Sequence, residues 1–193
     1  MTPTRRVTEM AAVRAMSHPL RLRLYYALTL AGSATATTLA EGVDESVSLV
    51  SYHLRQLARH GYVEVDPSPP GAADARQRWW RPTSVGFSWA RSDLGEGPEV
   101  AAGVAEAGRQ MDAHRAAYRQ TWLDSRSGWG AAWQDAAVSS DNPLLRMTPA
   151  ELQELQQEFT QLLESWRDRL AVAPTDPERE QVMVVFQAFP FTP

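Results

Sequence analysis

The 193-residue sequence contains no cysteine, no lysine and no isoleucine, and only one asparagine. Without cysteine there can be no disulfide framework, no thiolate nucleophile and no thiolate-ligated metal. No stretch approaches the roughly 18 consecutive apolar residues of a membrane span, and residues 1–16 lack the uncharged apolar core of a signal peptide. We therefore expect a soluble, cytoplasmic protein with no membrane partner.

Charge is distributed unevenly along the chain, although the net charge is only −4. Residues 1–83 contain ten arginines and seven acids, which gives +3, and residues 84–193 contain nine arginines and sixteen acids, which gives −7. A basic first half joined to an acidic second half predicts a polyanion-binding module followed by a part with another role.

The first half reads as four helices followed by a hairpin. Apolar periodicity and Gly/Pro punctuation predict helices over 7–16, 19–31, 36–41 and 46–60, and strands over 62–65 and 76–81 around a loop at 67–75. In the longest of these helices, Val50, Leu54, Leu57 and Ala58 form one apolar stripe. This order of elements is that of a winged helix-turn-helix, and we place a DNA-binding domain at residues 1–83.

Local sequence in the same region resembles a known family. The stretches are SHPLRLRLYYAL at 17–28, TTLAEGV at 37–43, SVSLVSYHLRQLARHGYVEV at 46–65 and RQRWWR at 76–81. They closely resemble the winged helix-turn-helix regulators of the ArsR type. The resemblance implies a bacterial transcriptional repressor that binds an inverted repeat in double-stranded DNA as a homodimer.

The predicted recognition helix has a polar face opposite its apolar stripe, and residues 46–63 include no acid. Arginine and glutamine can form bidentate hydrogen bonds with base edges, and hydroxyl groups can reach bases or phosphates. The predicted DNA-binding residues are Ser48, Ser51, Tyr52, Arg55, Gln56 and Arg59 on this helix, with Arg76 and Arg78 on the wing. The alternatives are an ordinary solvated face for the helix, and charge pairing with Glu64 and Asp66 for the wing arginines.

The second half, residues 84–193, is predicted to be a helical dimerisation region. Seam-forming helices span 98–124 and 149–170, and residues 84–90 and 182–189 are predicted to pair as a small sheet. The alternative for residues 182–189 is pairing with a second subunit. The fold class is therefore mainly α, with a minor β component. A second interpretation gives this half a hydrophobic small-molecule effector, bound in an apolar pocket formed by Tyr118, Trp122, Trp129, Trp133 and Trp166.

Metal sensing and catalysis have little support in the sequence. Asp112 and His114 have the spacing of one half of a metal site that occurs in regulators of this type, but Ser125 and Gly128 stand where the later ligands are needed. No phosphate-binding glycine loop, nucleophile elbow or HExxH motif is present. We expect no metal, no cofactor and no enzymatic activity. A winged-helix module that binds a protein in place of DNA is the alternative function.

Overall fold

In the computed structural model, residues 4–68, 77–137, 145–171 and 177–190 are described. They form five short strands and seven α-helices. The elements are β1 (Arg5–Arg6), α1 (Met10–Met16), α2 (Pro19–Ala31), β2 (Ala34–Thr35), α3 (Ala36–Val43), α4 (Val47–Arg59), β3 (Val63–Val65), β4 (Trp79–Pro82), β5 (Phe87–Ser88), α5 (Pro98–Ser125), α6 (Ala131–Ala136) and α7 (Pro149–Ala171). The predicted order of helices and hairpin and the mainly α fold class are confirmed.

The signals that begin and end α2 lie in its local sequence. Pro19 occupies the first turn, where its missing N–H is not needed, and the Nδ1 atom of His18 accepts a hydrogen bond from the Leu20 N–H at 3.2 Å. Gly32 ends the helix with a φ of +73°, a conformation that glycine adopts without steric cost. The helix bounds predicted from the sequence match the structure.

The recognition helix α4 packs its apolar stripe into the core of the domain. The Ser46 hydroxyl accepts a hydrogen bond from the Leu49 N–H and so caps the first turn. Val50, Leu54 and Leu57 are completely buried, and α4 contacts α2, α3 and β3. Because the stripe is buried, the opposite face of the helix is turned to solvent.

The wing is a three-stranded antiparallel sheet in the order β2-β4-β3. Trp80 of β4 lies opposite Ala34 on one side and Val65 on the other, and its indole is buried in the core. The predicted hairpin is therefore present, with β2 added as a third strand. The outer end of the hairpin, residues 69–76, lies outside the described residues.

The predicted pairing of residues 84–90 with 182–189 is wrong. The strand within the first segment, β5, pairs in parallel with β1, so that Arg5 lies opposite Phe87. Residues 182–189 form no strand, and their apolar side chains are exposed. A β-branched run carries the propensity for a strand but does not identify a partner, whereas β1 is too short to give any periodic signal.

The chain divides into two compact units, Met1–Asp124 and Ser125–Pro193. The first unit reaches about forty residues beyond the boundary predicted after Thr83, because α5 shares the core of the winged helix. Ala107 and Met111 of α5 are buried in the same apolar cluster as α2 and α4. The assignment of DNA binding to residues 1–83 and of dimerisation to 84–193 stays a prediction.

The second unit contains α6 and α7. The predicted capping box opens α7: the Thr148 N–H donates to the Glu151 carboxylate at 2.7 Å, and the Glu151 N–H donates to the Thr148 hydroxyl at 3.3 Å. None of the described residues of Ser125–Pro193 is buried. Nowhere in the described residues does a helix combine the length and apolarity needed to cross a membrane.

Candidate nucleic-acid interface

Four of the six residues predicted to contact DNA from α4 form the centre of its exposed face. Ser48, Tyr52, Arg55 and Arg59 are exposed. Ser51 and Gln56 are half-buried, so they form the two margins of the face. The arrangement follows from 100° of rotation per residue, which places these margins beside the buried stripe. The central side chains project furthest from the helix and have the chemistry that base edges accept.

Two apolar side chains at the start of α4 also belong to this surface and were missed by sequence reasoning. Val47 is 44% exposed and Leu49 is 38% exposed. Both lie in the first turn, which in helix-turn-helix proteins approaches the bases most closely. A methyl-bearing side chain there can pack against the C5 methyl group of thymine. Leu49 lies outside the stripe of Val50 and Leu54, which is a signal in the sequence, whereas Val47 shares the direction of that stripe and is exposed at the first turn of the helix.

The C-terminal end of α4 is held by Arg5, which sequence reasoning also missed. Its guanidinium donates a hydrogen bond to the His60 carbonyl at 2.6 Å and lies 4.8 Å from the centre of the Tyr62 ring. Between these two residues, Gly61 has a φ of +69°, and a Cβ there would meet the Arg5 guanidinium at 3.4 Å. An arginine on β1 therefore satisfies a terminal helix carbonyl.

Two histidines meet on the buried side of α4. The ring of His53 lies 4.6 Å from that of His18 at the start of α2, and Tyr52 packs edge-to-face against His53 at 5.1 Å. Burial lowers the pKa of His53, and the nearby His18 and Arg21 lower it further. Burial, followed by Arg21, also lowers the pKa of His18. The folded domain therefore favours both imidazoles in their neutral form.

We expect the domain to lose stability as the pH falls below about 6.5, the ordinary pKa of histidine. The lowered pKa of His53 means that the unfolded chain binds a proton more readily than the folded one, so this stability is present above pH 6.5 and is lost on acidification. Urea unfolding at pH 7.5 and 5.5 measures the loss. His53→Gln should reduce the pH dependence, because it removes the imidazole whose pKa burial lowers. Equal pH dependence in wild type and His53→Gln would contradict the assignment.

Two arginines of the wing are described, both are exposed, and one of them forms an ion pair. Arg78 is exposed, and its guanidinium lies 5.9 Å from the centre of the Trp80 ring. Arg81 pairs with Glu64 at 2.7 Å, so among these described residues the charge pair predicted as the alternative for the wing involves Arg81. Arg76, the other predicted wing contact, lies outside the described residues.

The five residues of the predicted effector pocket belong to both compact units. Tyr118 on α5 packs against His114 at 4.7 Å, and Tyr26 of α2 lies 6.4 Å from Tyr118. Trp122 lies one turn further along α5, in the first unit. In the second unit, Trp129 and Trp133 pack at 6.3 Å, and Trp166 is 48% exposed with the Arg169 guanidinium 3.7 Å from its ring. A pocket formed by all five stays a prediction.

The residues considered for metal binding have other contacts in the structure. Asp112 pairs with Arg115 at 3.0 Å. His114 stacks on Tyr26 at 5.7 Å, and burial lowers its pKa, assisted by Arg23 and Arg115. Across the part of the chain that the structure describes, no three histidine or acidic side chains come together as metal ligands.

Comparison with known families identifies the domain to which α4 belongs. A family model described as a helix-turn-helix domain matches residues 16–66, which contain α2, α3, α4 and β3. No curated protein matches the chain. The matched region is the part that presents the exposed face of α4, so the chain carries a helix-turn-helix domain of the kind found in DNA-binding transcription regulators.

Proposed function

We propose that the protein is a homodimeric repressor of the ArsR type that binds an inverted-repeat operator in bacterial DNA. The observation that carries this proposal is the face of α4, where Ser48, Tyr52, Arg55 and Arg59 project from a helix whose other side is fixed in the core. No acidic residue interrupts this face. It acts by binding, without catalysis or a cofactor, and its place of action is the cytoplasm, where the DNA lies.

The acidic charge of the remaining chain favours one orientation on the duplex. Residues 84–193 carry a net charge of −7, so phosphate repulsion keeps this half away from DNA and lowers non-specific affinity. The basic half then approaches the duplex with α4 and the wing. Arg78, exposed on the wing, is placed to contact a phosphate or the minor groove.

Operator binding should weaken steeply as salt increases, because arginine–phosphate contacts release counterions. The measurement is fluorescence anisotropy with DNA from upstream of the gene, titrated at several salt concentrations. Arg78→Ala should weaken binding to operator and unrelated DNA alike, and should reduce the slope of log affinity against log salt by about 0.9. Binding without a salt slope would exclude this mode. The alternative, a protein-binding winged helix, predicts no affinity for DNA.

We propose that a second copy of the chain covers the apolar surface of the second unit. Along α7, Leu162 is 50% exposed, Trp166 48% and Leu170 45%. These residues share one stripe of the helix, and apolar side chains that stay exposed on a helix contribute little to its stability until another surface packs against them. A two-fold dimer supplies the same surface from each copy, and two copies are what an inverted repeat requires.

Leu162→Glu should shift the protein from dimer to monomer, because it introduces a charge into the apolar stripe of α7. Gln161→Glu is the matched control: it adds the same charge to the opposite face of the helix and should leave the dimer intact. Light scattering coupled to size-exclusion chromatography gives the mass directly. A wild-type protein that stays monomeric while binding the full operator would contradict the dimer.

A further inference from the structure

A cleft of about 330 Å³ lies within the first unit, between α2, residues 85–89 and α5. Tyr25 and Tyr26 contribute from α2, and Met111 and Arg115 from α5. Phe87 and Trp89 complete its aromatic lining. Its volume is at the lower end of the roughly 300–1,000 Å³ of small-ligand sites. These residues differ from the five that the sequence suggested for an effector pocket.

The lining of the cleft selects a flat aromatic ligand. The rings of Phe87 and Trp89 lie 5.9 Å apart and are nearly parallel, with 9° between their planes. Both are half-buried, so part of each ring remains available at the cleft. Met111, which also lines the cleft, is buried with 4% of its surface exposed, and a thioether packs well against aromatic rings. Stacking and dispersion are the interactions that such a surface offers.

A single cationic side chain at the cleft can bind an anion. Arg115 is the one cationic residue among the described residues that line it, and none of those residues is acidic. The Arg115 guanidinium pairs with Asp112 at 3.0 Å, in an exposed ion pair within one turn of helix. Such pairs contribute little to stability, so a ligand carboxylate can share or replace this contact with the bidentate geometry that arginine favours.

We propose that this cleft is a binding site for a small aromatic carboxylate, and that its occupancy changes the affinity of α4 for DNA. The binding stands on the cleft alone. The effect on DNA rests on the proposed function as a regulator.

Two sets of contacts connect the cleft with α4. In the first, Phe87 packs edge-to-face against Tyr62 at 5.5 Å. Tyr62 is fully buried, its N–H donates to the Leu57 carbonyl of α4 at 3.0 Å, and its hydroxyl donates to the Ala12 carbonyl at 3.0 Å. A ligand that moves the Phe87 ring therefore acts on a residue bonded directly to the recognition helix.

The second connection runs through the backbone of β5. The Arg5 N–H donates to the Gly86 carbonyl at 2.9 Å, and the Val7 N–H donates to the Ser88 carbonyl at 2.8 Å. The side chain of the same Arg5 donates to the His60 carbonyl at the end of α4. Arg5 therefore forms a hydrogen-bonded link between residues 86–88 and the end of α4, and we expect a movement of residues 86–88 to reach His60 through it.

The binding is tested with three probes added to the full-length, ¹⁵N-labelled protein. The first is 2-naphthoate, the second is its neutral amide 2-naphthamide, and the third is cyclohexanecarboxylate, which keeps the charge but lacks the aromatic ring. Saturable shifts of the backbone amides of residues 85–89 are expected with 2-naphthoate, at about tenfold higher affinity than with either comparison compound. The proposal is overturned if 2-naphthoate causes no saturable shifts. It is also overturned if the shifts depend on the protein concentration and not on the probe concentration.

Two arginine variants separate recognition of the carboxylate from a general effect on the fold. Arg115→Gln should weaken 2-naphthoate about tenfold and leave 2-naphthamide unchanged. Arg119→Gln is the matched control, because Arg119 is an exposed arginine one turn further along α5. An unchanged ratio of the two affinities in Arg115→Gln overturns the proposal, and this ratio is independent of any loss of folded protein.

The link to DNA is tested separately by operator anisotropy with and without saturating 2-naphthoate. An affinity change of about threefold or more is expected for wild type, and none for Arg115→Gln at the same probe concentration. Unchanged wild-type affinity overturns the coupling. Absence of operator binding under all conditions contradicts the proposed function, and it leaves the amide-shift result to decide the site.

Discussion

Arg55→Ala is expected to weaken operator binding by about 5- to 150-fold, the range that corresponds to the loss of one bidentate arginine–guanine contact of about 1–3 kcal/mol. Arg55 lies at the centre of the exposed face of α4. The side chain projects from a helix whose opposite side is completely buried, so its direction toward the groove is fixed by Leu54 and Leu57. Loss of the guanidinium should therefore relax base preference at one position of each half-site.

Anisotropy titrations with the operator and with single-base variants measure this effect. Arg55→Lys distinguishes its cause, since lysine keeps the positive charge but loses the planar fork. We expect Arg55→Lys to retain affinity for unrelated DNA and to lose operator preference. Arg119→Ala, which removes an exposed arginine from α5, is the control and should leave both affinities unchanged. Equal weakening on operator and unrelated DNA by Arg55→Ala would reassign Arg55 to a phosphate contact.

The helices of the first half could be predicted because their signals are local. Ser46 caps α4, Gly61 follows it, and the stripe that includes Val50 and Leu54 has the helical period throughout. The same period places Ser51 on the flank of the exposed face, where the structure has it half-buried, whereas Gln56, predicted for the face itself, is also half-buried. Residues within one helix are related by a fixed rotation, so a linear sequence determines which of them share a face.

The contacts that reach across the chain could not be predicted in this way. The pairing of Arg5 with Phe87 joins residues 82 positions apart in strands of two residues. The hydrogen bond from Arg5 to the His60 carbonyl depends on that pairing, so the sequence could not predict it either. Residues 182–189 had the stronger strand pattern and formed no strand. Long-range pairing depends on tertiary packing, which propensity does not encode.

The cleft and the recognition helix depend on the same distant contacts. Phe87 lines the cleft and packs on Tyr62, whose N–H is bonded to α4. We therefore expect a displacement of residues 85–89 to reach α4, because closely packed interiors pass strain between neighbours. The helical period of α5 identified Tyr118 and Trp122 as candidates, but the lining of the cleft arises from three separate segments that meet only in the fold.

Leu54→Ala is expected to destabilise the domain by about 2–5 kcal/mol, the largest effect on stability among these predictions. Leu54 has no exposed surface and lies in the middle of α4, where the helix contacts both α2 and α3. Truncation leaves a cavity. The helices cannot move to close it, because hydrogen bonds at His18, Ser46 and His60 hold their ends in place. With a total stability of roughly 5–15 kcal/mol for a domain of this size, a substantial fraction of that stability is lost.

Urea unfolding followed by circular dichroism measures the change, and Leu30→Ala is the matched control. Leu30 is also a helical leucine of the first unit, on α2, but it is 58% exposed. We expect Leu30→Ala to change the free energy of unfolding by less than about 0.5 kcal/mol. Operator affinity of Leu54→Ala should fall in proportion to the folded fraction, because Leu54 positions α4 and does not itself face DNA. Equal destabilisation by the two variants would contradict the packing of α4 described above.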